Sequence, residues 1–356
     1  MPLKLSVLDQ SPAADGETPG EALAHTIKLA QRAEEWGYHR FWVAEHHGSS
    51  RNMGSSPEVL ISHLLARTDH IRVGSGGVML QHYSPYKVAE NFNVLASLAP
   101  GRVDLGIGRG PGGMPSTTSA LRPYPVNGPA PVPLEEKVVE LRRFTGNQGD
   151  RGGDAAGQNG LIASPAPSQP ADLFLLGTTP SSGEMAARLK LPYVFAMFLN
   201  GNEAEMRAAI DTYFELSTGF SDFQPRAMLA LPVIVADTEI EASRHAESVN
   251  VVRIRLASGR SFTVFSEEAA REFGRQSGEE FTYEVQRANV IHGAPSKVKQ
   301  RLTDVRCRYG VDEIFVVTAI DNFPDRLRSY QLLAEEMLKK PDNSFHSRPG
   351  ASEART

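Results

Sequence analysis

Short apolar runs alternate with longer segments whose apolar residues recur at helical spacing along most of this chain. The apolar runs predict buried strands, and the segments between them predict helices with one face turned to a core. The helix predicted at Pro19–Trp36 is well delimited, because Thr18 and Glu21 form a capping box at its start and Gly37 follows its end. The predicted strands cover residues 3–8, 41–44, 71–80, 102–108, 173–176, 193–198, 230–235 and 313–317.

Eight strands, each followed by a helix, predict an α/β fold of the (β/α)8 TIM-barrel type. An open, doubly wound sheet in two domains is the alternative, but no linker-like break divides the alternation. A barrel needs about 250 residues, so the excess is assigned to insertions at about residues 111–170 and 251–288. We predict a single domain over residues 1–340 and a disordered polar tail over residues 341–356.

The insertions differ in composition. Residues 111–133 are rich in Pro, Ser and Gly and residues 146–160 are rich in Gly, so both are predicted to be loops. A short helix is predicted between them, over residues 134–144. Residues 251–288 contain helical pieces but no clear barrel strand, and they form a candidate lid.

Composition and charge narrow the setting of the protein. The net charge of −5 comes without a basic stripe, which argues against a nucleic-acid partner. No apolar run is long enough to span a bilayer and no signal-peptide pattern opens the chain, so we expect a cytoplasmic protein without membrane association. The single cysteine, Cys307, lies in a helix predicted over residues 295–308 and is expected to be a buried, inert thiol.

The second predicted strand ends in Glu45, His46 and His47. Histidine exchanges protons near neutral pH, and the carboxyl ends of barrel strands are where such enzymes place their chemistry. A pair of satisfied loop histidines is the alternative interpretation. Adjacent histidines are poor geometry for one metal ion and no partner cluster is visible, so a metal site is not expected.

Two glycine-rich segments follow the next strands. The run from Gly74 to Gly77 indicates either a flat ligand against the main chain or a bulge at a tight barrel corner. The glycines from Gly108 to Gly113 match a dinucleotide fingerprint in form only, because a proline-rich stretch follows where a helix should begin. We reject that fingerprint and retain Arg109, either as a phosphate-binding arginine or as a solvated surface arginine.

Hydroxyl side chains follow the fifth predicted strand. Thr178, Thr179, Ser181 and Ser182 open a helix, and a helix N-terminus with hydroxyls is a ready anion site. A plain N-cap, which stabilises a helix by about 1 kcal/mol, needs fewer hydroxyls. A flat ring, a phosphate and a nearby imidazole together suggest flavin mononucleotide, FMN.

At these residues the chain resembles the bacterial luciferase-like flavin-dependent monooxygenases, in their single-chain branch. The resemblance runs from Leu3 to about Ala334. The segments that carry it are residues 8–12 (Leu-Asp-Gln-Ser-Pro), 38–47 (ending in Ala-Glu-His-His), 71–78 (Ile-Arg-Val-Gly-Ser-Gly-Gly-Val), 100–106 (Pro-Gly-Arg-Val-Asp-Leu-Gly) and 328–333 (Arg-Ser-Tyr-Gln-Leu-Leu).

The resemblance implies a flavin at the C-terminal rim of the barrel and assigns roles to residues around it. His46 matches the active-site histidine, with Glu45 as its supporting partner, and Arg109 matches the phosphate-binding arginine. The remaining matches are Gly76 and Gly77, whose peptide is often cis and lies against the ring, and Thr179, Ser181 and Ser182 around the phosphate. We add Gln10 and His47 as candidate substrate contacts.

The resemblance also implies a reaction. Reduced FMN from a separate reductase reacts with O2 to a hydroperoxyflavin, which oxidises a small organic substrate. A deazaflavin-dependent hydride-transfer dehydrogenase, a non-catalytic flavin-binding protein and a metal hydrolase remain as alternatives. A homodimer is implied by the resemblance alone, and no motif identifies the substrate.

Overall fold

Eight parallel strands close into a barrel, which confirms the predicted fold class. The computed structural model describes residues 3–121, 132–146 and 161–338. The barrel closes where β12 pairs with β1, Glu313 opposite Lys4, and with β7, Ile314 opposite Leu229. In barrel order the strands are β1 (Lys4–Asp9), β2 (Arg40–Val43), β3 (Arg72–Val78), β4 (Val103–Ile107), β5 (Asp172–Gly177), β6 (Tyr193–Ala196), β7 (Ala227–Val235) and β12 (Glu313–Val317).

Helices cover the outside of the barrel, and their starts follow the predicted signals. Thr18 Oγ1 accepts from Glu21 N at 3.3 Å, and the Glu21 carboxylate accepts from Thr18 N at 2.8 Å. Gly37 ends the first helix with φ 86°. The helices are α1 (Pro19–Trp36), α2 (Pro57–Leu65), α3 (Pro85–Leu98), α4 (Pro115–Leu121), α5 (Leu134–Thr145), α6 (Pro180–Arg188), α7 (Met197–Asn200), α8 (Glu203–Ser217), α9 (Glu239–Glu247), α10 (Glu267–Ser277), α11 (Pro295–Tyr309) and α12 (Phe323–Met337), with a 3-10 turn at Leu80–His82.

Charged side chains fill the N-terminal end of the barrel. Arg40 donates from Nε to Glu313 Oε1 and from Nη1 to Asp104 Oδ2, both at 2.8 Å, and all three residues are buried. Trp42 Nε1 donates to the same Asp104 oxygen at 2.9 Å. Above this network an apolar cluster that includes Phe315 fills the barrel interior. The opposite, C-terminal end is therefore left for a site.

The insertion over residues 251–288 forms a small unit of its own. The strands β8 (Asn250–Leu256), β9 (Ser261–Val264) and β10 (Phe281–Arg287) form an antiparallel sheet in the order β10-β8-β9, and α10 packs on it. The helical prediction here was incomplete. Residues 252–256 and 281–286 alternate apolar and polar side chains, which is the pattern of half-buried strands, and this signal was missed. A further strand, β11 (Ile291–Gly293), pairs with the end of β7.

Two predictions about helices and loops outside the site were wrong. The stretch at residues 111–133 is not all loop, because α4 begins at Pro115 as an N-terminal proline allows. Cys307 is exposed, because Leu302 and Tyr309 lie on the buried face of α11 and Cys307 lies on the other.

Some predictions fall outside the described residues. These are the loops within residues 122–131 and 147–160 and the tail over residues 341–356. No helix of the described ranges is both long and apolar enough to cross a membrane. The cytoplasmic location stays a prediction.

Candidate active site

Gln10 and His46 meet at the C-terminal ends of adjacent strands. β1 and β2 are paired in the barrel, and one residue follows the end of β1 while the other lies just beyond β2. His46 Nε2 lies 2.7 Å from Gln10 Oε1. The His46 main chain is held as well, since its N donates to Gly54 O at 2.8 Å. The two side chains predicted to serve separate roles therefore form one hydrogen-bonded unit.

Glu45 supports His47 rather than His46, so the predicted Glu45–His46 partnership is wrong. Glu45 Oε1 accepts from His47 Nε2 at 2.6 Å and from the Tyr83 hydroxyl at 2.7 Å. Its other oxygen accepts from Met79 N at 2.9 Å. Every oxygen of this buried carboxylate is thus engaged. Tyr83, which follows the 3-10 turn after β3, belongs to no sequence motif and was missed.

Burial determines the charge of His46. Desolvation lowers the pKa of His46 to about 4 and outweighs the charge of Glu45, which raises it, while His47 lowers it further. The His46 imidazole is therefore neutral at pH 7 and can accept a proton. The same buried setting raises the pKa of the Tyr83 hydroxyl beside Glu45, so Tyr83 stays protonated.

Arg109 and two hydroxyls meet at the N-terminus of α6. Arg109 Nη1 donates to Ser181 Oγ at 2.8 Å, and Ser181 Oγ lies 3.0 Å from Thr179 Oγ1. Arg109 and Ser181 are exposed at the rim. A guanidinium, two hydroxyls and a helix N-terminus at one place form an arrangement suited to a phosphate.

Ser182 was predicted to contact the phosphate together with Thr179 and Ser181, but its side chain is turned into the core. Its hydroxyl donates to Thr179 O at 2.6 Å and lies 2.8 Å from the Tyr193 hydroxyl, and the residue is buried. Ser182 Oγ also accepts from Thr179 N at 3.2 Å. Ser182 therefore shapes the start of α6, and the candidate phosphate contacts are Arg109, Thr179 and Ser181.

The glycines of β3 are required by the barrel itself. The Gly76–Gly77 peptide is cis, and the register of β3 with β4 shifts there. A Cβ on Gly76 would lie 2.2 Å from Leu8 Cδ1, and one on Gly77 would lie 2.7 Å from the main chain of Gly106. The bulge interpretation is thus sufficient to explain these glycines, and a ring against them stays a prediction from resemblance.

The glycines after Arg109 bring a loop close to His47. His47 N donates to Gly112 O at 2.7 Å, and Gly112 has φ 68°. A Cβ on Gly113 would lie 2.6 Å from His47 O. Only glycine allows this approach, which explains the segment without a dinucleotide site. Gly110, by contrast, faces open space.

The insertion contacts the rim at both ends of the candidate site. Arg253 on β8 donates to Asn200 O at 2.7 Å, and Asn200 Nδ2 donates to Thr178 O at 2.7 Å, beside the start of α6. At the other end, Ser116 N of α4 donates to Gln276 Oε1 of α10 at 3.0 Å. The insertion, called the roof below, therefore contacts the rim at two places, and neither contact was foreseeable from local sequence. Its role as a lid stays a prediction.

The residues fit a bound flavin and its ligand in two respects. Arg109 with Ser181 and Thr179 supplies donors for a phosphate, and Gln10 Nε2 is a buried donor with no hydrogen-bond partner among the described residues. An acceptor atom on a bound ligand would satisfy that donor. Within the described ranges no group of three or more His, Cys, Asp or Glu side chains is arranged to hold a metal ion.

These features define a barrel with an imidazole, a candidate anion site and a roof at its C-terminal rim. The model of the luciferase-like monooxygenase family matches residues 1–313, and the chain belongs to that family.

Relatives extend this result over the whole barrel. The chain is 40% identical over 340 residues to the N-acetyl-S-alkylcysteine monooxygenase of Bacillus subtilis (strain 168), covering 94% of this chain and 98% of that protein. The crystal structure of apo-MsnO8 is 34% identical, with a TM-score of 0.75, covering 95% of this chain and 99% of that one.

More distant structures share the fold alone. The oxygenating constituent of 3,6-diketocamphane monooxygenase of Pseudomonas putida, in complex with FMN, is 16% identical with a TM-score of 0.66, covering 95% and 98% of the two chains. An F420-dependent secondary alcohol dehydrogenase, in complex with an F420-acetone adduct, is 15% identical with a TM-score of 0.66, covering 95% and 99%.

Proposed function

We propose that this protein is a flavin-dependent monooxygenase that uses reduced FMN and O2 to oxidise a small organic substrate. The observation that carries the proposal is the contact of Arg109 with Ser181 at the start of α6, on the same rim as the Gln10–His46 pair. FMN ends in a phosphate that this group suits. Family membership supports oxygen chemistry over the hydride transfer of deazaflavin enzymes.

Different residues of the chain bind the cofactor, exchange a proton and exclude water. Arg109, Ser181 and Thr179 hold the phosphate through donated hydrogen bonds, which orients the cofactor. When bound, reduced FMN supplies two electrons to O2, so that one oxygen atom enters the substrate and the other leaves as water. His46, neutral at pH 7, exchanges a proton with the reacting groups. The roof over residues 251–288 excludes water.

The first candidate substrate is an N-acetyl-S-alkylcysteine. The support is the 40% identity to a monooxygenase named for that substrate, which covers nearly the whole of both chains. Such a molecule combines a thioether with a carboxylate.

The test begins with cofactor-free protein. Anaerobic titration with reduced FMN and with reduced F420 identifies the cofactor that binds. A flavin reductase, NADH, isotopically labelled O2 and N-acetyl-S-methylcysteine are then supplied, and labelled product is measured by mass spectrometry. We expect tight binding of reduced FMN and one labelled oxygen atom in the product. Binding of F420 in preference to FMN would overturn the proposal in favour of a dehydrogenase.

Two further controls separate the remaining alternatives. Omission of the reductase should abolish turnover, because we propose that reduced FMN comes from a separate protein. The His46→Asn variant should bind FMN yet lose product formation. If parent and variant both bind FMN and neither labels any substrate of a small organic panel, the protein is a non-catalytic flavin binder.

We also propose a homodimer formed through α2 and α3. Val59 on α2 and Leu98 on α3 are 68% and 70% exposed, and Asn91 Nδ2 of α3 reaches Glu58 Oε1 of α2 at 3.4 Å, so the two helices present one surface. Several exposed apolar side chains on neighbouring helices, Val59, Val94 and Leu98, rather than one alone, support an association surface here. Light scattering should give twice the chain mass, and Leu98→Glu should give monomers. A monomeric parent would contradict the proposal.

A further inference from the structure

Gln10 is a fixed point of the rim, because the main chain around it is anchored below the surface. Asp9 Oδ2 accepts from Ser11 N at 3.2 Å and from Thr26 Oγ1 at 2.7 Å, and all three residues are buried. Ser11 adopts φ 48°, a conformation that few residues other than glycine accept. The turn therefore aims the Gln10 side chain at one place.

Only one of the two polar atoms of the Gln10 side chain forms a hydrogen bond. Its Oε1 lies 2.7 Å from His46 Nε2, whereas its Nε2 is buried without a hydrogen-bond partner among the described residues. A buried donor left unpaired destabilises the protein. An acceptor oxygen of a bound ligand, such as a carbonyl or a carboxylate, would remove that cost. The amide nitrogen is thus a donor that awaits a ligand.

The oxygen determines where the His46 proton lies. A carbonyl oxygen only accepts, so the hydrogen bond to Gln10 requires a proton on His46 Nε2. A neutral imidazole carries one proton, which leaves the lone pair on Nδ1. No described residue forms a hydrogen bond with His46 Nδ1 in this structure. The Nε2–H form is also the tautomer that free histidine prefers in water.

We propose that Gln10 is a positioning residue that holds the His46 proton on Nε2, leaves Nδ1 as the atom that exchanges a proton with the ligand, and donates from its own amide to an acceptor oxygen of that ligand. The proposal rests on the proposed function and adds which atom of His46 acts. A rotated Gln10 amide would place a donor on His46 Nε2 and move the imidazole proton to Nδ1. The two arrangements are chemically opposite, so they can be distinguished.

Nitrogen-15 NMR of histidine-labelled, cofactor-free protein reads the tautomer directly. His46 signals are assigned by their loss in His46→Asn. We expect a protonated Nε2 and an unprotonated Nδ1 at pH 7. In Gln10→Leu, which removes the acceptor, we expect a mixture of both tautomers. A proton on Nδ1 in the parent protein would overturn the proposal.

A charge at position 10 gives the second measurement. In Gln10→Glu a carboxylate would face the His46 Nε2–H. It should raise the pH at which His46 is half protonated, the His46 midpoint, by about one to three pH units. The charged groups already acting on His46 are Glu45 and His47. The pH at which activity rises should shift upward with it, because a charged His46 cannot accept a proton. Gln31→Glu adds the same charge to α1, where Gln31 Nε2 donates to Arg67 O. This control should leave the His46 midpoint and the pH dependence of activity unchanged.

An unchanged His46 midpoint in Gln10→Glu would overturn the proposal, since a purely structural role would not link the two residues. The NMR readout needs no cofactor. A protein that fails to bind reduced FMN, but whose Nε2–H tautomer gives way to a mixture in Gln10→Leu, would contradict the proposed function and support the role of Gln10.

Discussion

Glu45 accepts a hydrogen bond from His47 at 2.6 Å, across the residue that lies between them in the sequence. In extended backbone, residues two apart point to the same side and neighbours point to opposite sides. Glu45 and His47 therefore form one unit with Tyr83, while His46 points away and meets Gln10. The three ionisable residues at the end of β2 belong to two separate networks.

Glu45→Gln should destabilise the fold. The carboxylate accepts hydrogen bonds from His47 and Tyr83 at one oxygen and from Met79 N at the other. In glutamine one of these oxygens becomes an NH2 group, which cannot accept, so at least one donor loses its partner. We expect a loss of about 2–3 kcal/mol in the free energy of unfolding, measured by urea denaturation. Tyr83→Phe removes one donor only and should lose about 1 kcal/mol. Equal losses in the two variants would show that Glu45 is not the centre of the network.

The barrel could be predicted because its signals are local. Strand runs, the Thr18–Glu21 capping box and the proline at the start of α2, α3 and α6 depend on neighbouring residues only. The strand ends then place His46, Arg109 and Ser181 at one rim, since parallel strands share a direction. Most of the candidate site follows from these facts.

The stability of the protein should fall as the pH falls from about 6.5 to 4. Burial lowers the pKa of both His46 and His39 to about 4, so in this window the unfolded chain binds protons that the folded chain does not. The stabilisation is complete above pH 6.5 and is lost as the pH decreases toward 4. A pKa difference of this size corresponds to at most about 3 kcal/mol for the buried His46, and to less for His39, whose charge is partly screened by solvent.

Single substitutions separate the two histidines. His39→Gln and His46→Gln should each flatten the pH dependence of the unfolding free energy, because each removes one titrating group. His39 lies at the opposite end of the barrel, near Lys4. His39→Gln should therefore keep full activity and His46→Gln should not. A pH dependence that neither variant changes would contradict the assignment.

Arg109→Ala should weaken the binding of FMN about 10- to 100-fold, as expected for the loss of one charge-assisted hydrogen bond. Its effect on riboflavin, which lacks the phosphate, should be small. Equal losses for FMN and riboflavin in a fluorescence titration would show that Arg109 does not contact the phosphate.

Neighbouring serines provide a matched pair for this site. Ser181 is exposed against Arg109, and Ser182 is buried against Tyr193. Ser181→Ala should lower FMN affinity and leave the melting temperature unchanged, whereas Ser182→Ala should lower the melting temperature. The reverse result would exchange their roles.

What sequence could not show depends on contacts between distant segments. Ser182 matches a phosphate contact in type, but Tyr193 draws its hydroxyl into the core. The glycines near residue 112 suggest a ligand, but the close approach of a loop to His47 explains them. Whether Cys307 is exposed depends on which face of α11 is turned to solvent. Each of these outcomes depends on a contact between segments that are distant in the sequence.

Arg253→Ala should loosen the roof. Arg253 donates to Asn200 O at 2.7 Å and thereby joins β8 to the start of α6. We expect faster proteolytic cleavage within residues 250–288 and slower turnover. Arg255→Ala, two residues along the same strand and exposed, serves as the control and should match the parent. Identical cleavage rates in both variants would mean that Arg253 does not hold the insertion to the rim.

Asp104→Asn should unfold the barrel far more readily than Asp172→Asn, although both carboxylates bind Arg72. The Asp104 side chain is fully buried and also accepts from Arg40 and Trp42, whereas the Asp172 side chain is 51% exposed. Removing one charge of a buried network leaves the others unpaired and costs about 3–5 kcal/mol, while an exposed pair contributes at most about 1 kcal/mol. Because this network lies at the N-terminal end of the barrel, FMN affinity of the folded Asp104→Asn protein should equal that of the parent. Comparable losses of stability in the two variants would show that solvent reaches Asp104.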